Sequence, residues 1–294
     1  MQYQVAMFAG LGNRLFQFAS VYGMAKKNGV DFHVRMSKPN HEHNFNRYEY
    51  LFDNFESASI SHTRRVSNEL PEENDYVLIR EVGEQFMDYV PTTFPTEVQK
   101  NTLFYGYFQN EAYFNEVRED LLTLFKAPKE VETFLTLVQT PMPNFKNTIA
   151  IHVRLGDYKN NPKHFIHLGQ YYKASMDLAI ANWASRDNAN NEPMEFVVVC
   201  EEPQYLQMYY AFLCESEYKN VKITTLQRMD EVVTLYYMAR CAGVIIANSS
   251  FSWWAAYLNV QPNKFITIPS KWINMDGVAD TIPMNSQGAI IVDV

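Results

Sequence analysis

The stretch Thr148-Ile-Ala-Ile-His-Val-Arg-Leu-Gly-Asp-Tyr158 decides how this chain is read. Residues 148–153 are mostly apolar, and they end in a turn that carries charge and a glycine. A strand buried on both faces, with an open carboxyl end, has this pattern. The pattern recurs downstream. Glu195 to Cys200, Val221 to Thr225, Val244 to Ala247 and Phe265 to Ile268 are short β-rich runs. Helical spacing fills the intervals, around 171–183, 204–213, 231–240 and 251–258. Such alternation predicts an α/β fold with a doubly wound parallel sheet, whose ligands bind beyond the carboxyl ends of the strands.

The first half opens in the same way. Gln4 to Ala9 reads as a strand, Gly10 to Asn13 as a tight turn, and Leu15, Phe18, Ala19, Tyr22 and Ala25 recur at helical spacing. Gly29 is placed to end that helix, and Asp31 to Arg35 reads as a second strand. Val77 to Arg80 and Thr102 to Phe108 are further strands, and Asn110 to Phe125 a helix with one apolar face. Residues 36–75 are polar and read as loops around a short helix, a place for acceptor specificity. The stretch Thr140-Pro-Met-Pro-Asn-Phe-Lys-Asn147 breaks regularity. It divides the chain into an expected N-terminal domain, 1–143, and a C-terminal domain, 144–294.

Composition excludes several classes. The net charge of −8, with no basic run longer than Arg64-Arg65, argues against a nucleic-acid partner. No window approaches the ~18 consecutive apolar residues of a membrane span. No transmembrane segment is expected, and peripheral membrane contact stays open. The N-terminus lacks a basic region before its apolar run, so the cytoplasm is the expected compartment. Cys200, Cys214 and Cys241 are too widely spaced for a zinc or disulfide framework, and Cys200 and Cys241 read as small core residues. His41 and His43, and His164 and His167, lack a third convergent ligand and read as surface histidines.

Three strand-to-turn junctions carry the chemistry. The first is Phe8-Ala-Gly10-Leu-Gly12-Asn13-Arg14. Its glycines permit close backbone approach, and the helix that follows favours an anion. Leu15 stands where a dinucleotide fingerprint has its third glycine, and a tight turn without a ligand fits equally. In the second junction His152 and Arg154 project to one face of their strand. Arg154 either pairs with a carboxylate such as Asp157 or faces an anionic ligand, for which a guanidinium is well suited. The third is Asn248-Ser249-Ser250-Phe251-Ser252, at a helix start. One residue suffices for a cap, so four small polar residues there suit a diphosphate cradle. Trp253, Trp254 and Tyr257 read as packing. The sequon match at Asn248 reads as accidental.

Together, GLGNRLFQFA at 10–19, HVRLGDY at 152–158 and IIANSSFSWWAAYL at 245–258 resemble the α-1,2-fucosyltransferase family, glycosyltransferase family 11, over nearly the whole chain. The resemblance implies a GT-B-type arrangement of two Rossmann-like lobes with the donor between them. It implies metal-independent, inverting transfer of L-fucose from GDP-fucose to the 2-hydroxyl of a galactose or related sugar in a glycan acceptor, with no cofactor. Carried over by motif, Arg154 holds the donor β-phosphate and His152 lies near the nucleoside. Ser249, Ser250 and Phe251 hold the phosphates and ribose, with Asn248 and Ser252 in the same cradle. Gly10, Gly12 and Asn13 close over the donor. Asp157 is the candidate base, with Glu201 and Glu202 as alternatives. No Asp-x-Asp, the metal-bridging signature of the other large transferase fold, occurs. At three positions the chain departs from the family pattern. Arg14 replaces a Gln and Leu155 a second Arg. Thr234 stands where an Asp reads guanine in related enzymes, and Asp230 and Glu231 are nearby carboxylates. A donor with another sugar or base, and a non-catalytic nucleotide-sugar or glycan-binding protein, are the alternative readings.

Overall fold

Strands that read as continuous apolar runs need both faces covered; residues 148–153 are buried throughout, whereas 2–7 alternate between buried and partly exposed. The computed structural model describes residues 2–37, 54–55, 58–66, 76–81, 101–137, 145–186, 193–275 and 281–294. His41, His43 and much of the polar stretch 36–75 lie outside these residues. The chain forms two compact units, Met1–Lys126 and Ala127–Val294.

The first unit has strands β1 (Gln2–Met7), β2 (Asp31–Ser37), β3 (Ser61–Val66), β4 (Tyr76–Arg80) and β5 (Asn101–Tyr105). Their order is β3-β2-β1-β5-β4, paired in parallel throughout. Helix α1 (Leu11–Asn28) follows β1, and nearly all of residues 11–25 are buried. The helix expected over 110–125 is broken. It begins as single 3-10 turns at Glu111–Tyr113 and Asn115–Val117 and becomes α2 only at Arg118–Leu124. The side chain of Asn110 accepts from the Ala112 N–H at 3.0 Å and caps the first turn. That turn docks on α1 at Gly23, where a Cβ would lie 2.3 Å from the Tyr113 carbonyl oxygen.

The second unit starts with α3 (Lys129–Leu137), which periodicity did not flag and which the Glu132–Arg240 ion pair ties to this unit. Its sheet contains β6 (Thr148–Val153), β7 (Glu195–Cys200), β8 (Glu217–Tyr218), β9 (Val221–Thr225), β10 (Gly243–Ile245), β11 (Phe265–Pro269) and β12 (Ile290–Val292). The order is β12-β11-β10-β6-β7-β9-β8, and only the β8–β9 pair is antiparallel. Helices α4 (Gly169–Ala184), α5 (Leu206–Tyr209), α6 (Glu231–Arg240) and α7 (Ser250–Tyr257) lie between the strands. All six residues of β6 are buried, in a core with Phe196, Val198, Tyr171 and Met176. Cys200 and Cys241 are core residues, as expected. The doubly wound parallel sheet predicted from the alternation is therefore present. Among the described residues no helix is long and apolar enough to cross a membrane.

The strand order positions the site. From β6 the chain winds to β7 and β9 on one side, then crosses to β10 on the other. The connections after β6 and β10 thus diverge from adjacent strands. That divergence leaves a crevice at the carboxyl edge, where sheets of this kind hold ligands.

Candidate active site

Arg154, the first residue past β6, stands at this crevice. Its Nη1 donates to Glu201 Oε1 at 2.8 Å, and its Nη2 pairs with Asp157 Oδ1. The guanidinium lies 4.9 Å from the centroid of the Tyr158 ring, which stacks on His164. Burial pulls the Arg154 pKa down, but Glu201, Asp157 and Tyr158 leave it raised above the ordinary value. The side chain is a permanent cation that retains 30% exposure. Glu201 Oε1 also accepts the Leu155 N–H at 3.0 Å, so one carboxylate fixes both the guanidinium and its backbone. Gly156 makes this approach possible. It has φ +32°, and a Cβ there would lie 2.7 Å from Glu201 Oε1 and 3.1 Å from Arg154 Nη1. Asp157 is far more open, at 73% exposure against 27% for Glu201. Glu202 pairs with Lys159, whose ammonium lies 4.6 Å from the Tyr205 ring centroid.

His152 is 4% exposed and 5.6 Å, centroid to centroid, from the Phe251 ring. Burial, with the Arg154 charge, pushes its pKa down to about 3, so the imidazole is neutral. Its Nδ1 is buried without a hydrogen-bond partner. A buried nitrogen left in this state is costly in a finished core and normal at a site that waits for a ligand. Across the crevice α7 begins. Its N-cap, Ser249, makes no side-chain capping bond, and Ser250 and Phe251 are partly exposed at its first turn. A helix start uncapped by its own side chain favours an anion.

Two residues of the expected cradle turn away from it. The Asn248 amide nitrogen donates to the His164 and Trp272 carbonyls, both at 2.9 Å, and ties two loops together. Ser252 is fully buried, and its hydroxyl donates to the Ser249 carbonyl at 3.3 Å. Their side chains are thus committed to building the crevice rather than to lining it. Trp253, Trp254 and Tyr257 are fully buried, which is the packing role.

The three departures also have physical accounts. Leu155 is fully buried among Ile151, Val153 and Tyr172, where a second arginine would need a partner inside an apolar core. Asp230 is the N-cap of α6, accepting the Val232 N–H at 2.8 Å, and the Thr234 hydroxyl donates to the Asp230 carbonyl. Arg14 is 1% exposed and donates to the Ala9 and Met7 carbonyls at 2.7 and 3.1 Å. It clamps the β1–α1 turn, in which Ala9 has φ 63°. Gly10 is the N-cap of α1, Gly12 is buried in its first turn, and Asn13 accepts from Gln109 Nε2 at 2.7 Å. In the same unit Glu81 accepts the Phe108 N–H at 2.7 Å and the Tyr107 N–H. Burial nevertheless pushes its carboxyl up to about 7.

Glu201 is the residue whose part sequence reasoning missed. It was legible as a carboxylate directly after an apolar strand, but not as the partner of Arg154. His164 stacks on Tyr158, and His167 bonds the Tyr209 carbonyl oxygen. Among the described residues no three His, Cys, Asp or Glu side chains converge as a metal site. Arg154, a neutral imidazole and a helix start around one crevice are suited to a ligand with adjoining anionic and planar parts.

The model for Glycosyl transferase family 11 matches residues 1–276. The O-antigen biosynthesis glycosyltransferase WbnK of Escherichia coli is 24% identical, over 90% of this chain and 92% of that protein. The alpha-1,2-colitosyltransferase of Escherichia coli is also 24% identical, over 94% of this chain and 100% of that protein. Among solved structures, a mutant of Arabidopsis thaliana FUT1 in complex with GDP is similar in fold. Its TM-score is 0.51 at 13% identity, covering 88% of this chain and 68% of that one.

Proposed function

The chain belongs to glycosyl transferase family 11, and from that premise we propose that it moves L-fucose from GDP-fucose to the 2-hydroxyl of a galactose or related sugar, with inversion and without a metal. The observation that carries the reading is Arg154, held by Glu201 at the β6–β10 crevice opposite the start of α7. The acceptor oxygen attacks the anomeric carbon while the bond from that carbon to the β-phosphate oxygen breaks. The electron pair of that bond leaves with the diphosphate. Arg154 and the first-turn N–H groups of α7 are placed to take up the charge that develops there, ordinarily the largest single catalytic contribution. A diphosphate oxygen displaces Asp157 from Nη2, and the released carboxylate takes the acceptor proton. His152, Ser249, Ser250 and Phe251 contact the rest of the donor.

A second reading keeps the linkage and changes the sugar. The name of the colitosyltransferase relative carries an α-1,2 linkage with a sugar other than fucose. GDP, the nucleotide of the FUT1 complex, is taken as the nucleotide of the donor in both readings. The deciding experiment is a thermal-shift panel of GDP and UDP with and without EDTA, followed by transfer from GDP-fucose and GDP-colitose to galactose-ended glycans. EDTA-insensitive stabilisation by GDP with fucosyl transfer is expected. Selective colitosyl transfer moves the assignment to the second reading. Stabilisation by glycans but by neither nucleotide replaces it with a glycan-binding protein.

A further inference from the structure

A groove of about 880 Å³ in the second unit plays no part in the donor chemistry above. One wall is the β6–α4 connection with the first turn of α4, and the other is the segment after α5. Phe165, Tyr209 and Phe212 line it as partly buried aromatic rings, with Gln170, Lys173 and Glu215 at its exposed rim. The Phe165 and Tyr209 rings meet edge-on at 5.5 Å, and the Lys173 ammonium lies 4.8 Å from the Phe212 ring centroid.

The groove is lined by the same two connections that the Arg154–Glu201 pair joins. Because β6 and β7 are neighbours, the connections that leave their carboxyl ends run side by side. Near the sheet they are joined by Arg154–Glu201 and Lys159–Glu202. Farther out they are joined by His167 to the Tyr209 carbonyl at 3.2 Å and by the Phe165–Tyr209 contact. The groove and the cationic centre thus lie between the same pair of connections.

The lining selects the chemistry of the occupant. A pyranose presents an apolar C–H face and a rim of hydroxyls that both donate and accept. Partly buried aromatic rings match that face, and an amide, an ammonium and a carboxylate match the rim. A purely apolar chain would leave Gln170, Lys173 and Glu215 facing it without partners. We propose that this groove binds the sugars of the acceptor chain beyond the reacting residue, an inference that rests on the transferase reading above.

The test compares N-acetyllactosamine with lacto-N-neotetraose, which ends in the same disaccharide. Binding to the intact protein is read by saturation-transfer NMR, and transfer by KM and kcat. The tetrasaccharide is expected to bind roughly 3- to 10-fold more tightly, the scale of one aromatic contact. Phe212→Ala and Lys173→Ala should each erase that advantage, leaving GDP affinity and kcat on the disaccharide unchanged. Lys173 is exposed, so its variant has no folding defect to confuse the result. A length advantage that survives both substitutions overturns the groove, as does equal binding of the two saccharides. Absence of GDP binding and of transfer in the wild type overturns the transferase reading instead, and the NMR comparison then judges the groove by itself.

Discussion

Asp157→Asn should tighten the binding of GDP. The Asp157 carboxylate occupies Arg154 Nη2, the position proposed above for a diphosphate oxygen. The two side chains are 73% and 30% exposed, so water screens the pair and its worth is that of a surface ion pair, roughly 0.2–1 kcal/mol. Without that competing contact, Kd should fall by about 1.4- to 5-fold. Charge acts in the same direction, because the cluster sets two cations, Arg154 and Lys159, against three carboxylates, Asp157, Glu201 and Glu202. Calorimetric titration with GDP at two ionic strengths is the assay, and the gain should shrink as salt screens it. Turnover should move the other way, down by about 10²-fold or more, since the variant also lacks the proposed base. A Kd that rises, or does not change at low salt, would refute the idea that Asp157 holds the phosphate position. Normal turnover would remove it as the base.

Arg154→Ala should lower kcat by about 10²- to 10³-fold, the usual cost of losing one donor aimed at developing negative charge, and near-normal turnover would sink the assignment. Gly156→Ala should cost about 1–2 kcal/mol in a denaturant melt because of the left-handed φ, and it should also push Glu201 off Arg154, so that GDP affinity falls more than the melt implies. The pH dependence of stability should carry two opposed contributions. His152 has its pKa pushed down from 6.5 to about 3, so the unfolded chain binds a proton that the folded one refuses, and stability falls as pH drops from 6.5 toward 3. Glu81 has its pKa pushed up from 4.5 to about 7, so the folded chain keeps a proton that the unfolded one loses, and stability falls as pH rises from 4.5 through 7. Melts between pH 4 and 8 should show His152→Gln flattening the acid side and Glu81→Gln the neutral side. Unchanged slopes in either variant would contradict the corresponding shift.

The second sheet was legible because its central strands are short apolar runs bounded by turn residues, and β6, β7 and β9 have the limits read from the chain. The edge elements were not. β12 exposes Ile290 and Ile291, β8 is two residues long, and β3 is the polar run Ser-His-Thr-Arg-Arg-Val. Edge strands bury little, so hydrophobic pattern marks them weakly. The helix expected from 110 to 125 has sound periodicity, but docking against Gly23 of α1 overrode it.

The site divides along the same line. Sequence alone singled out the connections after β6 and β10 as candidates, because an apolar strand ending in Arg-Leu-Gly-Asp, or a helix starting at Asn-Ser-Ser, is a local signal of short-range sterics and capping. Tertiary structure decided which side chains face the crevice. Leu155, Asn248 and Ser252 point inward or tie loops together, and Arg14 clamps a turn. Above all, Arg154 is aimed by Glu201, 47 residues away. That pairing exists only because β6 lies beside β7, and the sheet's strand order is set by burying apolar surface, to which a guanidinium and a carboxylate at the rim add little.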